Sequence, residues 1–136
     1  MLLLAARSTG EAGILTTAFL AGEWLARPLS PHIPLAFSPE FLEAVLALTV
    51  AYLAAEVVFL PESRARWMVV PVLGLAHGLA FAPFPPFYLT AAQLVQLVFI
   101  AVLWLIVRKM PQGWRRPAAG ALLVAGIGWF ARMLFP

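Results

Sequence analysis

Long apolar runs, separated by short polar or proline-rich hinges, dominate the sequence. Five runs approach the roughly 17–25 apolar residues that a helix needs to cross a bilayer. Each must be helical, because a bilayer offers no partner for unpaired backbone groups. The predicted helices cover residues 10–26, 39–60, 66–82, 87–107 and 117–134. We therefore predict an all-α polytopic membrane protein, a single domain over residues 1–136 with a bundle of about five transmembrane helices.

Capping residues and prolines predict where these helices begin and end. The pair Arg27-Pro28 is expected to end the first helix. Ser38 is a suitable N-cap for the second, and Pro39 suits its first helical position. The proline-rich stretch 83–86 stops the third helix and predicts a rigid turn. The first and third helices are the weakest predictions, because they are short and contain charge or glycine.

The composition agrees with a membrane protein and excludes several other classes. Hydrophobic residues make up 63% of the chain, charged residues 11%, and the mean hydropathy is +0.94. Soluble domains carry about 25% charged residues, and disordered chains are far less apolar. The net charge of +3 does not indicate a nucleic-acid partner, since the bases lie in hinges and form no folded basic patch. There is no cysteine, so thiolate ligands and disulfides are excluded.

The distribution of basic residues predicts the orientation in the membrane. Seven of the nine bases fall on one side of the predicted bundle: Arg7, Arg64, Arg66, Arg108, Lys109, Arg115 and Arg116. Arg27 and Arg132 fall on the other side. The positive-inside rule then puts the N-terminus in the cytoplasm and the C-terminus outside the cytoplasmic membrane. The apolar run 1–6 is too short for a signal-peptide core, so we expect no cleavage.

His77 is the deepest polar residue in the predicted spans. It lies eleven residues beyond Arg66, about 16 Å along a helix and close to the middle of the membrane. Gly74 and Gly78 flank it with the small-xxx-small spacing that lets another helix approach. The imidazole could bind a metal, relay a proton, or donate a hydrogen bond to a carbonyl between packed helices.

Two glutamates within the spans also need an explanation, since a charge at mid-bilayer costs about 2.5–3.5 kcal/mol. Glu23 lies one turn from Arg27, so it is either a ligand or half of an interfacial ion pair. Glu56 lies near the cytoplasmic end of the second helix, where Arg64 or Arg66 could pair with it. Glu56 is therefore either an inner relay or a structural ion pair.

Amide side chains complete the candidate chemistry. Gln93 and Gln96 are one turn apart in the fourth helix, where amides commonly hydrogen-bond across helices. On the predicted topology these glutamines share the outer half of the membrane with Glu23, Glu43 and His77. Carboxylate, imidazole and amide oxygen together suit a borderline or hard divalent cation. Capping and solvation at the helix N-terminus are the simpler roles for Glu40 and Glu43.

The segment from residue 39 to residue 82 resembles the HupE/UreJ family. It contains ALTVAYLAAEVVF, a basic hinge and then GLAHGLAFA. Glu56, His77, Gly78 and Phe81 match the family pattern, whereas Val57 stands where asparagine is usual. The segment TAFLAGEW is similar to a family segment that has histidine at the position of Glu23. The segment QLVQL is similar to one with glutamate at the position of Gln93.

The resemblance implies a nickel or cobalt permease. The candidate metal ligands are then His77 at the centre, Glu23, Gln93 and Gln96 towards the outside, and Glu56 as an inner relay or gate partner. The cation would be transported cargo, not a structural cofactor. The family's upstream helix with histidine and aspartate is missing from this chain, which predicts an N-terminally shortened member.

The same observations leave a second function open. A small chain without the upstream helix could be an accessory or structural membrane subunit with no transport, working as a homo-oligomer or with a partner subunit. We expect no enzymatic activity, because no nucleophile–base pair is visible.

Overall fold

The computed structural model describes residues 6, 8–32, 38–60 and 66–135, and all regular structure within them is helical. The five α-helices are α1 (Thr9–Leu29), α2 (Pro39–Phe59), α3 (Arg66–Phe81), α4 (Pro86–Val107) and α5 (Gln112–Leu134). A single 3₁₀ turn, Ser30–His32, follows α1. The prediction of an all-α bundle of five helices is confirmed.

Three of the helices begin and end within one residue of their predicted bounds: α2, α3 and α4. As predicted, the side chain of Ser38 caps α2 by accepting from the N–H of Phe41, 3.2 Å away, and Pro39 occupies the first turn. The chain from residue 82 to residue 85 is a turn, and α4 starts at Pro86.

The predicted end of α1 and the predicted start of α5 are wrong. α1 continues through Arg27 and Pro28, because the N–H and hydroxyl of Ser30 bond to the carbonyls of Ala26 and Arg27 and close the last turn. α5 begins after Pro111, not at Pro117. Proline cannot donate to the helix ladder but does not prevent a helix near its ends.

Helices α1 and α3 form the tightest pair, running parallel with glycines at the contact. A Cβ atom added to Gly74 would overlap the backbone of Phe19, and one added to Gly78 would overlap the backbone of Glu23. From the other side, Gly22 lies against the carbonyl of Pro71. The predicted small-xxx-small spacing on α3 is therefore the surface on which α1 packs.

Helices α2 and α5 form a second pair, which runs antiparallel. Gly126 lies against the backbone of Ala51. A Cβ atom added to Gly126 would be 2.8 Å from the backbone nitrogen of Ala51. Val57 and Ala119 are buried together towards one end. At the other end, Trp129 donates to Glu43 at 3.2 Å.

Among the described residues, three helices are long and apolar enough to cross a membrane: Glu40–Phe59, Pro86–Val107 and Gly113–Leu134. α3 is also apolar but has only 16 residues, about 24 Å of helix against a hydrocarbon core of about 30 Å. α1 carries ionisable residues, and its Glu23 is fully buried. α1 and α3 each bury one face against the other and keep exposed apolar side chains such as Leu25 and Met68 on the opposite face, whereas most large apolar side chains of α4 are exposed, as lipid-facing side chains would be.

Candidate metal site

A buried carboxylate joins α1 to α4. Glu23 has no exposed surface. One of its oxygens accepts from Nε2 of Gln93 at 3.0 Å, and the other accepts from Nε2 of Gln96 at 2.9 Å. Gln93 and Gln96 lie on the same face of α4 because they are three residues apart. We call Glu23, Gln93 and Gln96 the carboxylate–amide centre.

Gln93 is held in one orientation by two further hydrogen bonds. Its Oε1 accepts from the indole Nε1 of Trp24 at 2.8 Å, and its Nε2 also donates to the carbonyl of Leu20 at 3.2 Å. Turning this amide over would set donor against donor at Trp24 and acceptor against acceptor at Leu20. Gln93 is therefore a fixed donor to Glu23.

Gln96 is held on one side only. Its Nε2 bonds to Glu23, but its Oε1 is buried and has no hydrogen-bond partner among the described residues. A half turn of this amide would exchange the two atoms and direct Oε1 towards the carboxylate. Gln96 can thus present either a donor or an acceptor to the centre.

His77 lies on the neighbouring helix and not in this centre. Its Nδ1 is 2.8 Å from the carbonyl of Leu73, one turn back in α3, and its ring meets Phe19 edge to face with centroids 5.0 Å apart. Nδ1 is then the protonated nitrogen, so Nε2 carries the lone pair. Nε2 makes no hydrogen bond with any described residue. The next residue, Gly78, contacts the backbone of Glu23.

Glu56 belongs to a separate buried ion cluster. Its Oε1 is 3.1 Å from Nε of Arg66, and both side chains are 2% exposed. Arg66 also lies 3.7 Å from Glu11 of α1. This cluster joins α1, α2 and α3. It contains the ion pair between Glu56 and Arg66 that the sequence predicted. The other partner considered, Arg64, lies outside the described residues.

The structure therefore divides the five predicted ligands among three places. Glu23, Gln93 and Gln96 converge, as predicted, whereas His77 and Glu56 each have other neighbours. The parts of the chain that the structure describes contain no group of three or more histidine, cysteine or acidic side chains placed to hold a metal. The five residues therefore do not form one common site in this conformation, and their role as metal ligands stays a prediction.

One alternative for the polar residues is wrong, the ion pair between Glu23 and Arg27. Glu23 does not pair with Arg27, which instead donates to the carbonyl of Phe84 at 2.8 Å. Glu43, for which capping and solvation were the simpler roles, accepts from Trp129 in the pair formed by α2 and α5. The role of Trp24 was missed, since a tryptophan near a helix end is equally typical of a membrane interface.

A cavity of about 340 Å³ separates α1 from α4 below the carboxylate–amide centre. It is lined mainly by apolar groups, with the hydroxyl-bearing residues Thr9, Thr16 and Thr17 on α1 and Trp104 on α4. Ile100 and Trp104 of α4 also pack against the buried cluster that contains Ala12 and Leu15 of α1, and the hydrogen bonds of Glu23 add a polar attachment between the two helices.

The comparisons with known proteins identify the family. The family model described as HupE / UreJ protein matches residues 1–99. No curated protein and no solved structure matches the chain. The family match covers α1, α2, α3 and the part of α4 that carries Gln93 and Gln96. With its apolar helices, the chain therefore belongs to the HupE/UreJ family of membrane proteins.

Proposed function

We propose that this protein binds a divalent metal cation and carries it across the membrane, nickel or cobalt being the cargo that the family suggests. One observation carries the proposal: Glu23 of α1 is a fully buried carboxylate that accepts hydrogen bonds from two amide side chains of α4. Ionisable groups at membrane depth are rare and typically mark an ion or substrate path. Carboxylate and amide oxygens are ligands for hard and borderline divalent cations.

The two glutamines have different parts in this proposal. Without cargo, both amides donate to Glu23 and satisfy its negative charge. When a cation enters, Gln96 turns so that its Oε1, for which the described part of the chain offers no donor, joins the Glu23 oxygens as a ligand. Gln93 keeps its orientation because of Trp24 and Leu20, so it holds one carboxylate oxygen in place.

His77 and Glu56 act at other points of the path. The Nε2 of His77 has a lone pair without a hydrogen bond and lies on the helix that packs against Glu23, so it receives the cation before or after the carboxylate–amide centre. Glu56 has one buried oxygen, Oε2, that no described residue hydrogen-bonds. Its pairing with Arg66 closes the cytoplasmic end of α2 against α3, which is the arrangement expected of an inner gate.

Uptake into proteoliposomes tests the proposal. Purified wild type should accumulate radioactive nickel or cobalt, and Glu23→Gln and His77→Ala should each reduce the initial rate by about tenfold or more, the effect of losing one ligand interaction worth about 1.4 kcal/mol. Glu43→Gln is the matched control, because this half-buried carboxylate only accepts an exposed hydrogen bond from Trp129. Equally poor uptake of nickel, cobalt and zinc by wild type and His77→Ala would end the permease proposal.

A second candidate function is a membrane subunit that transports nothing. The observation that favours it is that both Glu23 oxygens already have donors within the chain, as in a purely structural network. Purification in mild detergent separates the two functions. A stoichiometric partner that is retained without any metal supports the subunit role, and a metal-stabilised oligomer of this chain alone counts against it.

A further inference from the structure

The hinge between α4 and α5 is a concentration of positive charge. We define the basic hinge as residues 108–116, which include Arg108, Lys109, Arg115 and Arg116. No acidic residue follows Glu62 in the sequence. Among the described residues, none forms an ion pair or side-chain hydrogen bond with these four side chains. The described residues thus leave these four cations available to an external anion.

The basic hinge also borders an apolar cleft. The cleft has a volume of about 290 Å³ and is lined by Ile106, Lys109, Met110, Pro111 and Trp114. Lys109 supplies its charge, and the other lining side chains are apolar or aromatic. Trp114 is 68% exposed, although it is large and apolar.

Further donor groups lie beside the cleft, in the first turn of α5. The Nε of Arg115 is buried and has no hydrogen-bond partner among the described residues. The first turn of α5 has Pro111 at its N-cap, with no side-chain hydrogen bond to its amides. Gly113 in that turn has open space where a side chain would be. These donors add to the field of the cations, since a helix N-terminus also attracts anions.

We propose that the basic hinge binds one anionic phospholipid, with its phosphate at the cations and the start of an acyl chain against Met110 and Trp114. A lipid explains the charge and the apolar cleft together, whereas a soluble anion would leave the cleft and the exposed indole uncovered. The hinge connects two helices that can cross a membrane, so it lies where lipid headgroups are found. Basic groups between transmembrane helices bind anionic headgroups for this reason.

Native mass spectrometry of the purified full-length protein tests the site. Dioleoylphosphatidylglycerol should remain bound at lower lipid concentrations than dioleoylphosphatidylcholine. Lys109→Gln should weaken binding of the anionic lipid about fivefold, the contribution of one cation near an anionic surface. Arg115→Gln should do the same. Arg115 is half-buried, so this variant could also disturb folding, whereas Lys109 is exposed and its variant tests the site independently of folding.

Arg132→Gln is the matched control, because this exposed base lies at the opposite end of α5. It should leave the preference for the anionic lipid unchanged. Inorganic phosphate at millimolar concentration should not displace the lipid. Equal retention of the two lipids, an equal effect of Arg132→Gln and Lys109→Gln, or displacement by inorganic phosphate would each overturn the proposal. None of these outcomes depends on metal transport.

Discussion

Replacing Glu23 by glutamine and by leucine separates the charge of this residue from its hydrogen bonds. Leucine removes both bonds, leaving Nε2 of Gln96 without an acceptor and Nε2 of Gln93 with only the carbonyl of Leu20. Hydrogen bonds between membrane helices contribute about 0.6 kcal/mol on average and about 1.7 at most. We therefore expect Glu23→Leu to lower the free energy of unfolding by about 1–3 kcal/mol.

Glutamine at the same position should change the stability much less. Its Oε1 can accept from Gln93, which is fixed, and its Nε2 can donate to Gln96 once that amide has turned over. Both interhelical bonds are then kept, as neutral bonds in place of charge-assisted ones. We expect a change of less than about 1 kcal/mol, the difference between the two kinds of bond being partly offset by the relief of burying a charge.

These free energies can be measured by unfolding the protein in mixed micelles with increasing sodium dodecyl sulfate. The loss of the helical circular dichroism signal reports the unfolded fraction. Glu43→Gln should change stability by less than about 0.5 kcal/mol, because its one bond to Trp129 is exposed. If Glu23→Gln proves as destabilising as Glu23→Leu, the amide of Gln96 does not turn. The proposed difference between the two glutamines would then be refuted.

The remaining predictions concern helix packing, the buried ion cluster and the orientation in the membrane. Gly74→Ala should destabilise the protein by about 1–3 kcal/mol, since the added methyl group meets backbone, whereas Gly128→Ala meets open space and should be neutral or slightly stabilising in the same unfolding assay. Arg66→Leu leaves the carboxylate of Glu56 buried without its cation and should cost about 3–5 kcal/mol; a loss below 1 kcal/mol would contradict the buried cluster. The chain has no cysteine, so single cysteines at positions 109 and 132 should react with an impermeant thiol reagent from opposite faces of the membrane, and labelling from one face would refute the predicted topology.

The sequence allowed the helices to be predicted well because apolar length and N-caps are local signals. Ser38 and Pro39 determine the start of α2 whatever packs against it. The start of α5 could not be chosen in the same way, because Pro111 and Pro117 are both acceptable near a helix N-terminus. Tertiary contacts decide between such alternatives.

The site was predictable in part, for a similar reason. Helical periodicity places Gln93 and Gln96 on one face, and membrane depth singles out Glu23. Whether these faces meet depends on how the helices pack, which the sequence does not state. The spacing of four residues makes Arg27 an equally good partner for Glu23 in the sequence, yet Arg27 bonds to the carbonyl of Phe84. The glycines of α3 were the strongest packing signal, and they point towards α1.

Equilibrium binding of nickel to the detergent-purified protein, measured by isothermal titration calorimetry, tests most directly whether Glu23 holds the cargo. We predict saturable binding to wild type and to Glu43→Gln, and binding at least about tenfold weaker to Glu23→Gln, whose fold is retained but whose carboxylate is gone. Unchanged affinity in Glu23→Gln, or no saturable binding to wild type of nickel or of cobalt measured in the same way, would contradict the account.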